Sequence, residues 1–228
     1  MASLAVSLLF LFGYFPLNWG GGFRPAGGYV MTRGAQWEDH YARKAREEKW
    51  LARSVYKLEE IDKRFGLIRS GARLLDLGAS PGSWSQYGLK KTGPKGEVVG
   101  IDLKDPTRLS APNFRFIKAD ILDLDVEWLY QEIGQRDVVL SDLAPKTTGI
   151  HVADTSRSIE LAGKAFEIAL AVLAVKGHFL CKVFEGEDLK TFRNDVSRVF
   201  RQVRTVRPSA VRKRSREVYL LGLGLLGD

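Results

Sequence analysis

From residue 31 onward, apolar and polar stretches alternate in a strand–helix rhythm. Residues Trp37–Phe65 read as helical, in two pieces. Arg73–Leu77 is a short apolar strand, and a helix over Ser83–Lys90 opens just after Pro81-Gly82. Glu97–Leu103 and Phe114–Lys118 read as strands, Val126–Ile133 as a short helix, and Asp137–Leu143 as a fourth strand. The clearest amphipathic pattern runs over Ser156–Val175, where Ile159, Ala162, Phe166, Ala169, Leu170 and Leu173 fall on one helical face. His178–Phe184 has the continuous apolar character of a buried strand, and Leu189–Phe200 reads as a helix. Val203–Val206 and Val218–Leu223 bring the strands to seven. Strands separated by helices in this way predict one α/β domain, with a largely parallel sheet covered by helices on both faces.

Residues 1–33 differ from the rest. Leu4–Phe15 is almost wholly apolar and a Gly/Pro-rich stretch follows it. The apolar run is shorter than the ~20 residues needed to span a bilayer, and no Lys or Arg precedes it as in a secretory signal. The expectation is a poorly ordered extension over 1–33, with Met31 as the working start and the domain proper over 34–228. A signal or anchor segment is the other reading. The single cysteine, Cys181, excludes an intramolecular disulfide, and His40, His151 and His178 lack metal-ligand spacing, so no metal is expected. With 45% hydrophobic and 27% charged residues, the chain is neither a disordered protein nor a multi-span membrane protein. It reads as a basic intracellular domain.

The net charge of +8 is concentrated. Between Lys190 and Arg216 stand ten basic residues and one acid, Asp195. An arginine-rich block of this kind is an electrostatic footprint for a polyanion, since guanidinium groups bind phosphate bidentately. Arg198, Arg201, Arg204, Arg207, Arg212, Lys213 and Arg214 are the candidate RNA-binding residues. A membrane partner is not expected, because the block interleaves with strand-like residues instead of forming one amphipathic helix. The mixed block over Arg33–Arg64 reads mostly as a solvated helix with i,i+4 charge pairs.

Leu74–Trp84 has the form of a strand, a glycine-containing turn and a helix start. Its spacing is not G-x-G-x-x-G, and no Lys-Ser/Thr pair follows, which argues against a pyrophosphate ligand and a nicotinamide oxidoreductase. Asp102, Asp120 and Asp142 each end a strand, at the edge of an open α/β sheet where ligands bind. A carboxylate at Asp102 can hold two ribose hydroxyls, and one at Asp120 can face an adenine amine. Asp120 as a helix N-cap and Trp84 as a core aromatic are the plainer alternatives. Together these residues outline an adenosine pocket without a phosphate cradle, which suits S-adenosyl-L-methionine better than NAD.

The run Asp76-Leu-Gly-Ala-Ser-Pro-Gly-Ser-Trp-Ser-Gln86, with Ser141-Asp-Leu-Ala-Pro145 and Cys181-Lys-Val-Phe-Glu-Gly186, resembles the FtsJ/RrmJ (RlmE) family of ribosomal RNA 2′-O-methyltransferases, over about residues 31–224. The resemblance implies a single Rossmann-like S-adenosylmethionine-dependent methyltransferase fold, with seven strands and an antiparallel last strand. It implies cofactor contacts at Gly82, Trp84, Asp102, Asp120 and Asp142. It also implies a catalytic tetrad of Lys57, Asp142, Lys182 and Glu217, and methylation of a uridine in 23S ribosomal RNA of the large subunit. Ser83 departs from the pattern, where the family commonly has a second glycine. A cytoplasmic monomer is expected, acting on RNA and not DNA, because DNA lacks the 2′-hydroxyl.

Lys182 interrupts an otherwise apolar strand, and a buried lysine without a role is rare. Desolvation and a second ammonium from Lys57 disfavour the charged form of such a lysine, while Asp142 and Glu217 oppose that effect. A neutral amine at Lys182 is the general base for the ribose hydroxyl, with Lys57 and Glu217 tuning and orienting and Asp142 bridging to the cofactor. A charged amine would only steer the hydroxyl. The reading from another functional class is a catalytically silent RNA- or ribosome-binding assembly factor on the same fold.

Overall fold

A computed structural model describes residues 33–106 and 108–227 of the chain, so the expectation for residues 1–33 falls, apart from Arg33, outside the described residues. Among the described residues the strands are β1 (Arg73–Leu77), β2 (Glu97–Asp102), β3 (Phe114–Lys118), β4 (Arg136–Ser141), β5 (Leu173–Phe184), β6 (Phe200–Val206) and β7 (Glu217–Leu225). The helices are α1 (Arg33–Glu47), α2 (Val55–Phe65), α3 (Ser83–Thr92), α4 (Val126–Ile133), α5 (His151–Val172) and α6 (Asp188–Val199). The strands form one sheet in the order β3-β2-β1-β4-β5-β7-β6. Neighbours from β3 to β5 run parallel, and β7 inserts antiparallel between β5 and β6. The outcome is a Rossmann-like α/β fold with an antiparallel last strand.

Strand parity sorts the core, because successive side chains point to opposite faces. Leu75, Leu77, Val139, Phe179 and Cys181 pack with Leu129, Ala165, Ile168 and Val196 from α4, α5 and α6. On the other face, Leu74, Val98, Val138, Leu140, Leu180 and Leu221 pack with Leu58, Ile61, Trp84 and Tyr87 from α2 and α3. Asp76, Asp142, Lys182 and Tyr219 share parity with this second set. Their position, at or near the carboxyl edge of β1, β4 and β5, sets polar groups where the apolar layer meets α2.

Helix α5 differs from the sequence pattern at both ends, and β5, β6 and β7 each begin before the residues it gives them. Helix α5 starts at His151, ahead of Ser156, because Asp154 organises the turn before it. The Asp154 carboxylate accepts from Thr148 N, Thr148 Oγ1 and Gly149 N at 2.7, 2.9 and 3.1 Å. The Thr148 amide is the largest of the effects that lower its pKa. At the other end the helix stops at Val172, because Leu173 enters the ladder opposite Arg136. Leu170, placed on the apolar face by periodicity, is 43% exposed. The buried stripe instead follows Ser158, Ala162, Ala165, Ile168, Ala169 and Val172.

Helix α2 is locked to α3 through one buried carboxylate. Asp62 accepts from Ile68 N at 2.9 Å and Tyr87 Oη at 2.8 Å, and Lys91 Nζ lies 3.2 Å away. Gly66 ends α2 in the left-handed region at φ 66°, returning its amide to the Asp62 carbonyl. Asp62→Ala would leave two buried donors without a partner, each worth about 1–3 kcal/mol. The expected outcome is a fall of about 2–4 kcal/mol in urea unfolding free energy, with an unchanged m-value.

Candidate active site

The turn after β1 brings backbone close to a cavity. Gly78 sits at φ 81°, and a Cβ there would come within 3.0 Å of the Leu143 side chain. Gly82 starts α3 at φ 111°, with Leu51 Cδ1 only 2.8 Å from where its Cβ would stand. Both positions therefore require glycine. The cavity, about 680 Å³, opens at the carboxyl edge of the sheet, and Gly78, Asp102, Asp120 and Asp142 are among its lining residues. Leu103 and Leu122 add apolar wall. Asp102 Oδ2 accepts from Ser80 N at 3.0 Å and Oδ1 from Lys104 N at 2.9 Å. Each carboxylate oxygen can accept twice, so acceptor capacity toward the cavity remains. Asp120 is no helix N-cap. Its Oδ1 accepts from Leu122 N at 3.0 Å, while Asp125 caps α4. A cavity of about 780 Å³ at the opposite end of the sheet, lined by Val175, His178 and Leu226 among others, holds no such ring of carboxylates.

Beside Asp142 stands a connected chain of polar groups. Lys182 Nζ donates to the Asp142 carbonyl at 2.6 Å and to Asp142 Oδ1 at 3.0 Å. Lys57 Nζ, from α2, pairs with Glu217 Oε1 at 2.6 Å. Tyr219 Oη joins the two pairs, at 2.8 Å from Asp142 Oδ1 and 2.6 Å from Glu217 Oε1. Lys182 is 7% exposed, and the side chains of Lys57 and Glu217 are 12% and 13% exposed. Four residues spread over 161 positions of sequence thus meet in one site, as the resemblance requires. Sequence reasoning misses Tyr219. The signal that could have found it is strand parity, since it lies two residues after Glu217 and pairs with Lys182 in the ladder.

Trp84 and Gly82 do not line the cavity. The Trp84 ring is buried, its Nε1 donates to the Ser54 carbonyl at 3.0 Å, and it packs on Tyr219 with centroids 5.8 Å apart. It supports the segment leading into Lys57 from behind, so its side chain is a core aromatic and not a cavity wall. The basic block also divides. Arg207, Arg212, Lys213 and Arg214 belong to the β6–β7 connection at the site end. That loop is pinned by Glu60 of α2, which accepts from Ser209 N at 2.8 Å, and by Arg53 just before α2, whose Nη2 donates to the Ala210 carbonyl at 3.2 Å. Arg207 braces it by donating to the Glu217 carbonyl at 3.3 Å. Arg204 lies midway along β6, opposite Leu221. Arg201 lines the distal cavity and Arg198 pairs with Asp195 at 3.0 Å. Six extended residues separate Arg201 from Arg207, about 20 Å, so Arg198 and Arg201 are not brought to the site.

Below the site, Asp76 is completely buried. Its Oδ2 accepts from Ser85 Oγ at 2.6 Å, and Oδ1 has no hydrogen-bond partner.

The model of the FtsJ-like methyltransferase family matches residues 50–225. A relative from Bdellovibrio bacteriovorus, named ribosomal RNA large subunit methyltransferase E, is 47% identical over 188 residues, covering 81% of this chain and 95% of its own. A relative of the same name from Desulforapulum autotrophicum is 45% identical over 198 residues, covering 86% and 97%. Among solved structures, one described as a ribosomal RNA methyltransferase from Plasmodium falciparum superposes with a TM-score of 0.69 at 28% identity, covering 78% of this chain and all of that one.

Burial pushes the Asp76 carboxyl up to about 7, with Asp142 adding to the rise and the Ser85 hydrogen bond opposing it. The folded protein therefore holds a proton that the unfolded chain releases near the ordinary value of 3.8. The stability this confers is complete below that value and is lost as the pH rises to about 7. Asp76→Asn is thus expected to gain stability relative to the parent as pH climbs through that window, and to level off above it. Urea unfolding at a series of pH values checks this; a pH-independent difference would contradict it.

Proposed function

The chain belongs to the FtsJ-like methyltransferase family, and from that premise we propose that it methylates the ribose 2′-hydroxyl of a uridine in 23S ribosomal RNA of the large subunit, with S-adenosyl-L-methionine as donor. The observation that carries this reading is the double role of Asp142, which lines the three-carboxylate cavity and also holds the amine of Lys182.

The cavity's donor set suits that cofactor. Asp102 offers acceptor sites for a ribose diol and Asp120 for an adenine amine, while Asp142 faces the positively charged end. Gly78 lets backbone approach without a phosphate-binding cradle. When bound, S-adenosylmethionine supplies a methyl group on a positively charged sulfur, displaced in line by an oxygen nucleophile to leave a neutral thioether. Gly82 and the Trp84 ring act from behind, shaping the loop and bracing Lys57.

The chain's own task is to align the hydroxyl and take its proton. Lys182, as the neutral amine, accepts the proton at Nζ while the ribose oxygen attacks. The Asp142 carbonyl and carboxylate hold Nζ at the cavity edge. Lys57 and Glu217 orient the hydroxyl from the α2 side. Alignment of this kind can be worth roughly 7–11 kcal/mol in favourable cases.

Arg204, Arg207, Arg212, Lys213 and Arg214 are the phosphate contacts in this reading, and Arg198 and Arg201 are set aside. Recognition of a 2′-hydroxyl selects RNA over DNA. We propose a cytoplasmic monomer; among the described residues no helix is long and apolar enough to cross a membrane. No feature favours a catalytically silent assembly factor, since all four groups of the tetrad are present, as two ion pairs joined through Tyr219. With tritiated cofactor and ribosomal RNA, Lys182→Ala is expected to lose roughly 10²–10⁴-fold in methyl transfer, with cofactor affinity by calorimetry unchanged. Turnover near the parent rate would remove Lys182 as the base.

A further inference from the structure

Tyr219 presents a hydrogen-counting problem. Its hydroxyl has one hydrogen to give, yet two carboxylate oxygens lie within hydrogen-bond distance, Glu217 Oε1 at 2.6 Å and Asp142 Oδ1 at 2.8 Å. Each of those oxygens also takes an ammonium, Lys57 at 2.6 Å and Lys182 at 3.0 Å. The order along the chain is therefore ammonium, carboxylate, phenol, carboxylate, ammonium. The phenol cannot satisfy both carboxylates at once. It can, however, satisfy whichever of them is less well compensated.

The surroundings keep the hydrogen on the phenol. Tyr219 is fully buried between β5 and β6. Burial, then the charges of Asp142 and Glu217, hold its pKa well above the ordinary tyrosine range. The ring is fixed by Trp84, and Lys57 Nζ stands 5.9 Å from its centroid. The ionisable groups around Lys182 are Asp142 just after β4, Tyr219 and Glu217 on β7, and Lys57 on α2. Asp76 on β1 lies one layer below.

We propose that Tyr219 is a positioning residue whose single hydroxyl hydrogen couples the two ion pairs, resting on Glu217 while Lys182 is an ammonium and turning to Asp142 when Lys182 is the neutral amine. The inference rests on the reading of Lys182 as the base. With Lys182 charged, Asp142 already has a counterion, and Glu217 holds the hydrogen. Once Lys182 is neutral, the Asp142 carboxylate, whose side chain is only 17% exposed, has lost that counterion. The hydroxyl then supplies a hydrogen bond in its place, while Lys57 continues to compensate Glu217. No proton leaves the tyrosine and no net charge moves; the O–H bond rotates between two acceptors. The hydroxyl thereby compensates Asp142 in the state in which Lys182 no longer does.

The test is the pH dependence of single-turnover methyl transfer at saturating cofactor and ribosomal RNA. In Tyr219→Phe, which keeps the ring packing, Asp142 holds the ammonium of Lys182 more firmly. The acid limb should move up by about one pH unit, a loss of roughly tenfold at neutral pH. The rate should recover toward the parent at alkaline pH, with the cofactor KM unchanged. A uniformly lowered profile with the same midpoint, or a profile like the parent's, would overturn the coupling. Replacing Tyr219 with 3-fluorotyrosine keeps the packing and strengthens the donor, so the limb should move down; an upward or absent shift would overturn the proposal even if the Phe variant folds poorly. Lys182→Ala in the same assay separates the two levels. An inactive Ala variant alongside an unmoved Phe profile defeats the coupling alone, whereas an active Ala variant defeats the base and the coupling together.

Discussion

An amine projecting from an apolar strand needs a partner where the strand ends, and at Lys182 that partner is Asp142. Each charge alone would lose several kcal/mol of hydration at this depth. The pair is tolerable because Nζ donates twice to one residue, to its carbonyl and to its carboxylate. Removing either member would strand the other. Much of the surrounding architecture holds this contact in register: β4 and β5 run parallel with Ser141 opposite Cys181, and β7 inserts antiparallel so that Tyr219 meets Lys182. The antiparallel insertion is what allows a strand start, Glu217, to stand beside the ends of β4 and β5.

Electrostatics at this edge is divided between two duties. Asp102, Asp120 and Asp142 give the cavity acceptor character and suit a cationic, hydroxyl-bearing ligand. The β6–β7 connection brings Arg207, Arg212, Lys213 and Arg214 to the same end, and suits phosphate. On the proposed reading, opposite charges draw the donor and the acceptor of the methyl group to the same edge, beside Asp142 and Lys182. Helix α2 serves both sides. It carries Lys57 into the site, anchors the basic loop through Glu60, and is itself fixed to α3 by Asp62.

The sheet was largely legible because its strands are short apolar runs bounded by glycine, proline and charge. β1, β3 and α4 fall where periodicity puts their ends. Legibility failed where tertiary contacts overrode local pattern. Leu173–Val175 continues the helical apolar rhythm of α5 but belongs to β5, where Leu173 pairs with Arg136 of β4. Leu170 faces solvent, since the buried stripe follows other positions around the helix. The four residues of the proposed tetrad come from the family resemblance, and the fold brings them to one place. Tyr219 was not legible, because an aromatic in a buried strand looks like core until its hydroxyl partners are known. The motif tryptophan Trp84 suggests ligand contact, and the structure adds that its ring is buried against the Ser54 carbonyl. Block charge in the sequence does not show its division in space: β6 runs Arg201 and Arg207 to opposite ends of the sheet.

The most direct test of the proposed chemistry is where the methyl group lands. Large-subunit ribosomal RNA, free and within subunits lacking the modification, would be incubated with the protein and cofactor carrying a trideuterated methyl group. The RNA would then be digested to nucleosides for mass spectrometry. Label in a 2′-O-methylated uridine, with the extra mass on the sugar fragment, is the expected result. Label on a base, or none in either form of the substrate, would contradict ribose methylation.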